Sequence, residues 1–448
     1  MGDGEEDLIS ALHDDLLGKI ISRLLVKDAA RTAVLASRWR HVWRSTPLVL
    51  YDGDLPEPTR AATVTRVLAD HPGPFRVVLI QNCRLASHSP ELAEWPRLLA
   101  AKDVETLLFA YQKPAGKAQG LPRIPADIFR CASLKQLFLN CWTWTIPPDH
   151  LSRSRSLVVF PQLLLLTLTN IAISDQDLDH LLAASPVLEN IILACPLKRL
   201  HVRSQSLRSV LVSLLDEFAV VEAPLLDRLF FARPPAYIIG AADPVRLRIA
   251  STSNLRVLGY INPMVHKLHI NGNIIKPDTM ASPSTVVPGI QILALNVNFC
   301  DLEEVKMAAS LLRCFPNTCT LHIQSVMPRD PSEPTGEEHH AKFWQEATPV
   351  ECLRSHVKRL VFHKFRGHRN EFEFLKFVAR GAKALQSLLL VPSKEKVLSA
   401  DEVNGMIDGL GCPSFQAWTS KVLLVSRVVD KDWYPMRASD IAVVDPFL

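Results

Sequence analysis

Apolar residues recur along this chain in two rhythms, and each predicts a different element. Over Asp14 to Leu24, the residues Leu16, Leu17, Ile20, Ile21 and Leu24 fall at i, i+1, i+4, i+5 and i+8, a wide apolar stripe on a helix of about two and a half turns. Lys27-Asp28-Ala29-Ala30 opens a second helix carrying Ala33 and Val34, and Ser37 starts a third in which Trp39 and Trp43 lie one turn apart on one face. Helices this short make a module of roughly forty residues, below the size at which a single core supports itself without a partner or a staple. The stripe therefore predicts a docking surface as well as a core.

Beyond residue 100 the rhythm becomes apolar-x-x-apolar-x-apolar. It begins at Leu134, Leu163, Leu188, Leu197, Leu207, Leu226, Leu255, Val265, Ile290, Val357 and Leu385, with a looser copy ending in Leu321 and Ile323. This is the strand of a leucine-rich repeat, whose leucines point into a continuous core while the intervening residues face solvent on the concave side. Steps of 25 to 29 residues, as from Leu134 to Leu163 to Leu188, leave room for a strand, a turn and a helix. Ser174 and Asp177 form a capping box ahead of Leu178, Leu181 and Leu182, and Asp301 and Glu304 do the same ahead of Val305, Ala308, Ala309 and Leu312. In between, Leu188, Leu207 and Leu226 stand nineteen apart, Val245 and Val265 continue the count, and the runs Leu197 to Val202, Phe218 to Val221, Tyr237 to Ile239 and Leu255 to Tyr260 fall halfway. A coil of about twenty residues has no room for a full helix, so strands are predicted on both faces from about 188 to 275.

Composition narrows the class. The chain has 448 residues, 48% hydrophobic and 21% charged, enough for a sizeable core in two or three domains. Fifty basic against 46 acidic residues give a net charge of +4, too small to demand an anionic partner. Nine cysteines without regular spacing, no glycosylation sequon, an acidic start and no long apolar run predict a protein of the cytoplasm and/or nucleus, without a membrane span. Arg38, Arg40, His41 and Arg44 alternate with Trp39, Val42 and Trp43, but the cations fall opposite the tryptophans, as on any solvated amphipathic helix, so no nucleic-acid partner is predicted.

Catalytic signatures are missing. Nucleophile elbow, phosphate loop, dinucleotide fingerprint and zinc-protease helix motifs do not occur, so no enzyme and no cofactor are predicted. Cys314, Cys319 and His322 have metal-like spacing, yet Cys314 ends a predicted helix and strand alternation sends Cys319 and His322 to different faces, so no metal is predicted either.

The run Asp7-Leu8-Ile9-Ser10-Ala11-Leu12, Asp14-Asp15-Leu16-Leu17, Ile20-Ile21-Ser22-Arg23-Leu24, Val26-Lys27-Asp28-Ala29-Ala30-Arg31-Thr32 and Ser37-Arg38-Trp39-Arg40-His41-Val42-Trp43 resembles a plant F-box. The resemblance implies helices that insert into the Skp-type adaptor of a cullin-based ubiquitin ligase, and a receptor that selects a protein for ubiquitination. Leu12, His13, Leu16, Leu17, Ile20, Leu24, Val34, Trp39 and Trp43 are its adaptor-docking or module-core residues. The family usually has proline where this chain has His13 and Leu25. A second resemblance, to the FBD module of plant F-box proteins, rests on Glu351-Cys352-Leu353, Val357-Lys358-Arg359-Leu360-Val361-Phe362, Phe365-Arg366-Gly367, Arg369-Asn370-Glu371 and Phe374-Leu375-Lys376-Phe377-Val378. There a strand, a turn at Gly367, a helix capped by Asn370 with Leu375, Val378, Ala379 and Ala382 buried, and a second strand are expected to close the solenoid. His363, Lys364, Arg366, His368 and Arg369 read as a solvated basic turn.

The predicted fold class is α/β: an N-terminal three-helix F-box-like module, then an irregular leucine-rich-repeat solenoid with strands on its concave face and helices or strands on its convex face. The expected divisions are 7–50 for the F-box-like module, 51–100 for a connecting region, with a linker at Asp52 to Pro58, 101–345 for the repeats, 346–395 for the FBD-like module and 396–448 for a helix-strand cap. Exposed strand positions Lys135, Gln136, Lys198, Arg199, Arg208, Arg256 and Lys267 predict a largely basic concave face for an acidic or phosphorylated protein substrate. The alternative is a repeat scaffold whose F-box has drifted and which has no ligase role.

Overall fold

From Leu48 to Ala194 successive strands lie parallel, each beside the one before. The structure, a computed structural model, describes Ile9 and residues 12–112, 120–145, 160–232, 244–250, 254–327, 337–394, 398–426 and 440–448. The run Tyr237 to Ile239 lies outside the described residues. The chain divides into two compact units, Met1–Leu197 and Lys198–Leu448.

The first unit opens with α1 (Asp14–Ile21), α2 (Val26–Thr32) and α3 (Ser37–Ser45). The sheet then begins at once: β1 (Leu48–Tyr51), α4 (Arg60–Asp70), β2 (Phe75–Ile80), α5 (Glu91–Leu99), β3 (Thr106–Ala110), β4 (Gln136–Asn140), β5 (Leu165–Thr169), α6 (Asp175–Ala183) and β6 (Asn190–Arg203). Register places Leu50, Val78, Leu107, Leu137, Leu166 and Ile191 side by side across six strands, and Ile80, Phe109, Leu139, Leu168 and Leu193 in a second row. Every one of them is buried, so the rows form the continuous core that repeat stacking predicts. Repeats start earlier than residue 100: Phe75-x-x-Val78-x-Ile80 and Val104-x-x-Leu107-x-Phe109 obey the same rule with an aromatic in place of a leucine.

The linker expected at Asp52 to Pro58 is not one. Asp52 is fully buried, and its carboxylate accepts from the backbone N–H groups of Gln81 (3.1 Å), Asn82 (2.6 Å) and Cys83 (3.0 Å) and from Asn82 Nδ2 (2.9 Å). An acidic Gly/Pro-rich run looks solvated in sequence, but three neighbouring N–H groups at the end of β2 supply the solvation that water would have given.

The second unit carries two sheets. Its main sheet runs from the first half of β7 (Ser209–Glu222) through β8 (Arg228–Phe231), skips β9 (Val245–Ile249), and continues with β10 (Val257–Ile261). The second half of β7 pairs instead with β9, which pairs with β11 (His266–Ile270), which in turn meets the short β12 (Asn273–Ile274). Strands on both faces are thus present, but the phase differs from the nineteen-residue count. Val245 and Val265 head for the second sheet, and the run at Leu255 takes the main one. A coil with a strand on each side is self-similar at half its period, so counting alone does not say which strand belongs to which sheet.

The main sheet goes on through β13 (Ile292–Val297), α7 (Leu302–Cys314), β14 (Thr320–Ser325), α8 (Glu337–Glu346), α9 (Glu351–Ser355), β15 (Arg359–Phe365), α10 (Arg369–Gly381) and β16 (Ser387–Pro392). It ends with α11 (Ala400–Gly409), α12 (Pro413–Val422) and β17 (Leu423–Val425). Val210, Leu229, Leu258, Leu293, Leu321, Leu360 and Leu388 form its leucine row. At α10 the cap is His368, in a capping box with Glu371, while Asn370 turns inward and donates to the Phe299 carbonyl at 2.9 Å. Gly367 stands at φ +72°, a turn that suits glycine. The basic turn is solvated only in part: His368 and Arg369 are exposed, but His363 and Arg366 are buried, and the Arg366 guanidinium donates to the carbonyls of Ser325 and Lys364.

Candidate adaptor-docking face

The apolar stripe of α1 divides into a buried row and an exposed one. Leu17 and Ile21 are fully buried, whereas Leu16 and Ile20, one residue earlier on each turn, are 46% and 44% exposed. Val34 is 81% exposed in the turn between α2 and α3, beside Leu35 at 67%. Leu35 and the exposed Ile9 were not singled out by periodicity, since neither lies in a helical repeat. Of the other residues, Leu12 and Leu24 are half-buried, His13 is exposed, Trp39 is buried and Trp43 half-buried.

The helices are held so that this row stays outward. Arg38 of α3 reaches back to the Asp14 carboxylate at 2.6 Å and to the Leu12 carbonyl, fixing the start of α1. Arg76 of β2 donates to the Ser22 carbonyl at 2.7 Å, and Leu25 bridges to Val49 of β1. Trp43 turns toward the repeats, edge-on to His71 at 4.9 Å, which in turn meets Phe75 at 5.2 Å. Burial lowers the pKa of His71, the Lys102 charge lowers it further, and the ring stays neutral within this aromatic stack. His13 and Leu25 are the N-caps of α1 and α2, with φ −63° and −66°, the value a proline ring imposes. Neither side chain caps its helix with a hydrogen bond.

The cations expected on the repeat face are distributed among several surroundings. Lys135, in the first unit, pairs with Glu105 of the preceding coil at 2.9 Å. In the second unit Arg208 and Arg256 flank Asp227 along one row, where each carbonyl accepts two N–H groups from the next coil: Arg208 O from Asp227 and Arg228, Asp227 O from Arg256 and Val257. Arg256 forms a two-pronged pair with the Asp227 carboxylate, one prong at 3.0 Å. Burial acts to raise the Asp227 pKa, but the Arg256 and Arg228 guanidinium groups outweigh it and hold the carboxyl below its ordinary value. Gln291, Cys319 and Lys358 continue the row, whose one carboxylate, Asp227, stands between Arg208 and Arg256. Lys267 lies on the second sheet opposite Arg246, while Lys198 and Arg199 are exposed on the second half of β6. Gln136 is exposed at the start of β4.

Among the described residues no cluster of three metal-ligating side chains occurs, and no helix is long and apolar enough to cross a membrane.

Three family models match this arrangement. Residues 9–51 match the F-box domain, 92–323 match the model described as "FBD-associated F-box protein At5g56370, LRR repeats", and 345–390 match FBD. Among relatives from Arabidopsis thaliana, the F-box/FBD/LRR-repeat protein At1g51370 is 24% identical over 86% of this chain and 89% of its own length. The F-box/FBD/LRR-repeat protein At5g56420 is 22% identical over 88% and 93%. With the F-box/LRR-repeat protein At3g03360, identity is 30% over 42% of this chain, which spans 38% of that relative's length. The matched models follow one another in the order of the three helices, the parallel strands and the β15–α10–β16 unit, and the repeat model alone covers more than half of the chain. The chain belongs to the FBD-associated F-box proteins with leucine-rich repeats.

Proposed function

We propose that this chain is a substrate-receptor subunit of a Skp-cullin-F-box ubiquitin ligase. Its N-terminal helices dock on a Skp-type adaptor, and through it on a cullin, while the repeats hold a protein to be ubiquitinated. The observation that carries the reading is the split stripe of α1. Leu17 and Ile21 already satisfy the module's own core, so Leu16, Ile20, Val34 and Leu35 have no internal use for their apolar surface. Covering such a side chain stabilises an interface by about 1–3 kcal/mol, enough in combination to anchor a helix-in-groove contact. Membership of the family supports a non-catalytic role. Tethering alone raises the effective concentration of substrate lysines near the conjugating enzyme, with no catalytic group required of this chain. Cytoplasm or nucleus, where such ligases operate, is the compartment proposed.

The test is calorimetric titration of the full chain with a plant Skp-type adaptor, beside the Leu16→Ala/Ile20→Ala variant. Tight binding that weakens at least ~10-fold in the variant, a change of about 1.4 kcal/mol or more, is expected. Equal affinity of the two proteins would remove the reading.

A further inference from the structure

The segment 440–448 lies on the face of the main sheet turned away from its leucine row. Register places Phe230 beside Gly259, and Ala294, His322 and Val361 side by side across β13, β14 and β15, while Gly259 lies against Ala294 where the β10–β13 register shifts. Gly259 and Ala294, nearly without side chains, form a floor between two rings: a Cβ on Gly259 would stand 2.4 Å from that of Ala294. Phe447 fills the gap, its ring 5.5 Å from Phe230, 5.0 Å from Tyr260 and 5.2 Å from His322, and it is only 4% exposed.

Two residues before it, Asp445 meets His322 Nε2 at 3.1 Å, and His322 Nδ1 meets His363 Nε2 at 3.0 Å. With the carboxylate ionised, His322 donates from Nε2, so its Nδ1 accepts from His363: a fixed order of protons through two buried rings. At the other end Arg228, itself 2% exposed, donates to the carbonyls of Asp440 (3.1 Å) and Ile441 (2.9 Å). The sheet thus offers a built site, with a cation for the peptide backbone, an imidazole pair for a carboxylate and an aromatic-walled slot for a ring.

The segment forms no strand, and the backbone N–H groups of Val443 and Leu448 close turns within it, on Asp440 O and Asp445 O. Val444 is 81% exposed. A stretch held by a few side-chain anchors opens at lower free energy than a paired strand.

We propose that this groove is a recognition site for a protein segment carrying an acidic residue two positions before an aromatic one, filled in cis by Asp445-Pro446-Phe447, so that a partner of that pattern binds by displacing residues 440–448. This deepens the substrate-receptor reading and rests on it only for the biological role of the partner. Peptide binding needs no adaptor, so its outcome is independent of adaptor docking. A ligand tethered in cis competes at millimolar effective concentration, which masks the site in the resting chain.

The experiment titrates a dye-labelled peptide of residues 440–448 into the full chain and into its Asp445→Asn/Phe447→Ala variant, reading fluorescence anisotropy. Binding to the variant at least ~10-fold tighter than to the unaltered chain, and abolished when the peptide's own phenylalanine is replaced by alanine, is expected once the cis competitor is weakened. Equal affinity of the two proteins, or none for a folded variant, overturns the proposal. Should the variant fail to fold by circular dichroism, hydrogen exchange of the unaltered chain decides: excess peptide must speed exchange in 440–448, and unchanged exchange overturns it.

Discussion

Asp52 shows how a single side chain ties the turn after β1 to the end of β2. Its fully buried carboxylate gathers three backbone N–H groups and an amide from residues 81–83. Asp52→Ala leaves those donors without their acceptor, and a loss of about 3 kcal/mol is expected, because charged hydrogen bonds contribute roughly 1.5–3 kcal/mol and a buried donor such as the Cys83 N–H keeps its desolvation penalty. Urea unfolding of the two proteins reads it directly, and a difference under ~0.5 kcal/mol would contradict the role. The cysteines sort by the same logic of surroundings. Burial pushes the thiols of Cys83, Cys131, Cys195, Cys314 and Cys352 up to about 12. Cys412 is lowered instead, by the Ser414 hydroxyl and the Phe415 N–H at the start of α12. Brief maleimide labelling at neutral pH followed by peptide mass mapping is therefore expected to find Cys412 modified ahead of those five, since the thiolate is the reacting form.

At the scale of the element, α1 is informative because neighbouring leucines on it have opposite fates. Leu17→Ala removes a fully buried side chain and is expected to destabilise the first unit by roughly 2–5 kcal/mol, whereas Leu16→Ala changes stability by under ~0.5 kcal/mol. Chemical denaturation followed by tryptophan fluorescence separates the two, with Trp39 and Trp43 as reporters. Comparable losses from both substitutions would mean that Leu16 belongs to the core. α10 shows the converse. Phe372, Phe374 and Phe377 are buried along with Leu375 and Val378, so the helix is enclosed on more than the single face that periodicity suggested. Phe374 and Phe377 pack on Trp344 of α8 at 5.4 and 4.6 Å, and Phe374 on Phe299 at 5.5 Å, contacts supplied by segments far away in sequence.

On the scale of the whole molecule, buried histidines make stability depend on pH. His266 accepts the Asn262 N–H on its Nδ1 at 2.9 Å, and burial drops its pKa from 6.5 to about 3. In the unfolded chain the ring takes up a proton near its ordinary value; in the folded chain it does not until far lower. Its contribution is therefore complete above about pH 6.5 and is lost as pH falls from there toward 3, by about 1.4 kcal/mol for each pH unit. His322 shifts in the same direction, burial outweighing the opposing pull of Asp445. Urea titrations at pH 7.5 and 5.5 are expected to show the loss on acidification shrinking in His266→Phe relative to the unaltered chain. An identical pH dependence in the two proteins would show that this ring does not titrate as its burial requires.

The sequence by itself determined the three N-terminal helices, the capped helices α6, α7 and α10, most repeat strands beyond residue 100, and the family that the chain resembles. Those properties reside in local spacing: 3.6-residue stripes, the apolar-x-x-apolar-x-apolar strand and caps such as Ser174, which accepts the Asp177 N–H at 3.1 Å. Only the tertiary structure decided what covers what. Leu16 and Leu17 are equally apolar and adjacent, and nothing but the position of α3 and the sheet makes one core and the other surface. Val245 and Leu255 both begin apolar runs, and strand pairing alone assigned them to different sheets. His363 and Arg366 look like a solvated turn until Ser325 and His322 close over them, and Asp445 meets His322 across 123 residues of chain. Spacing records the period of an element, but the face it buries, and the ionisable groups it shelters, depend on partners that only folding brings near.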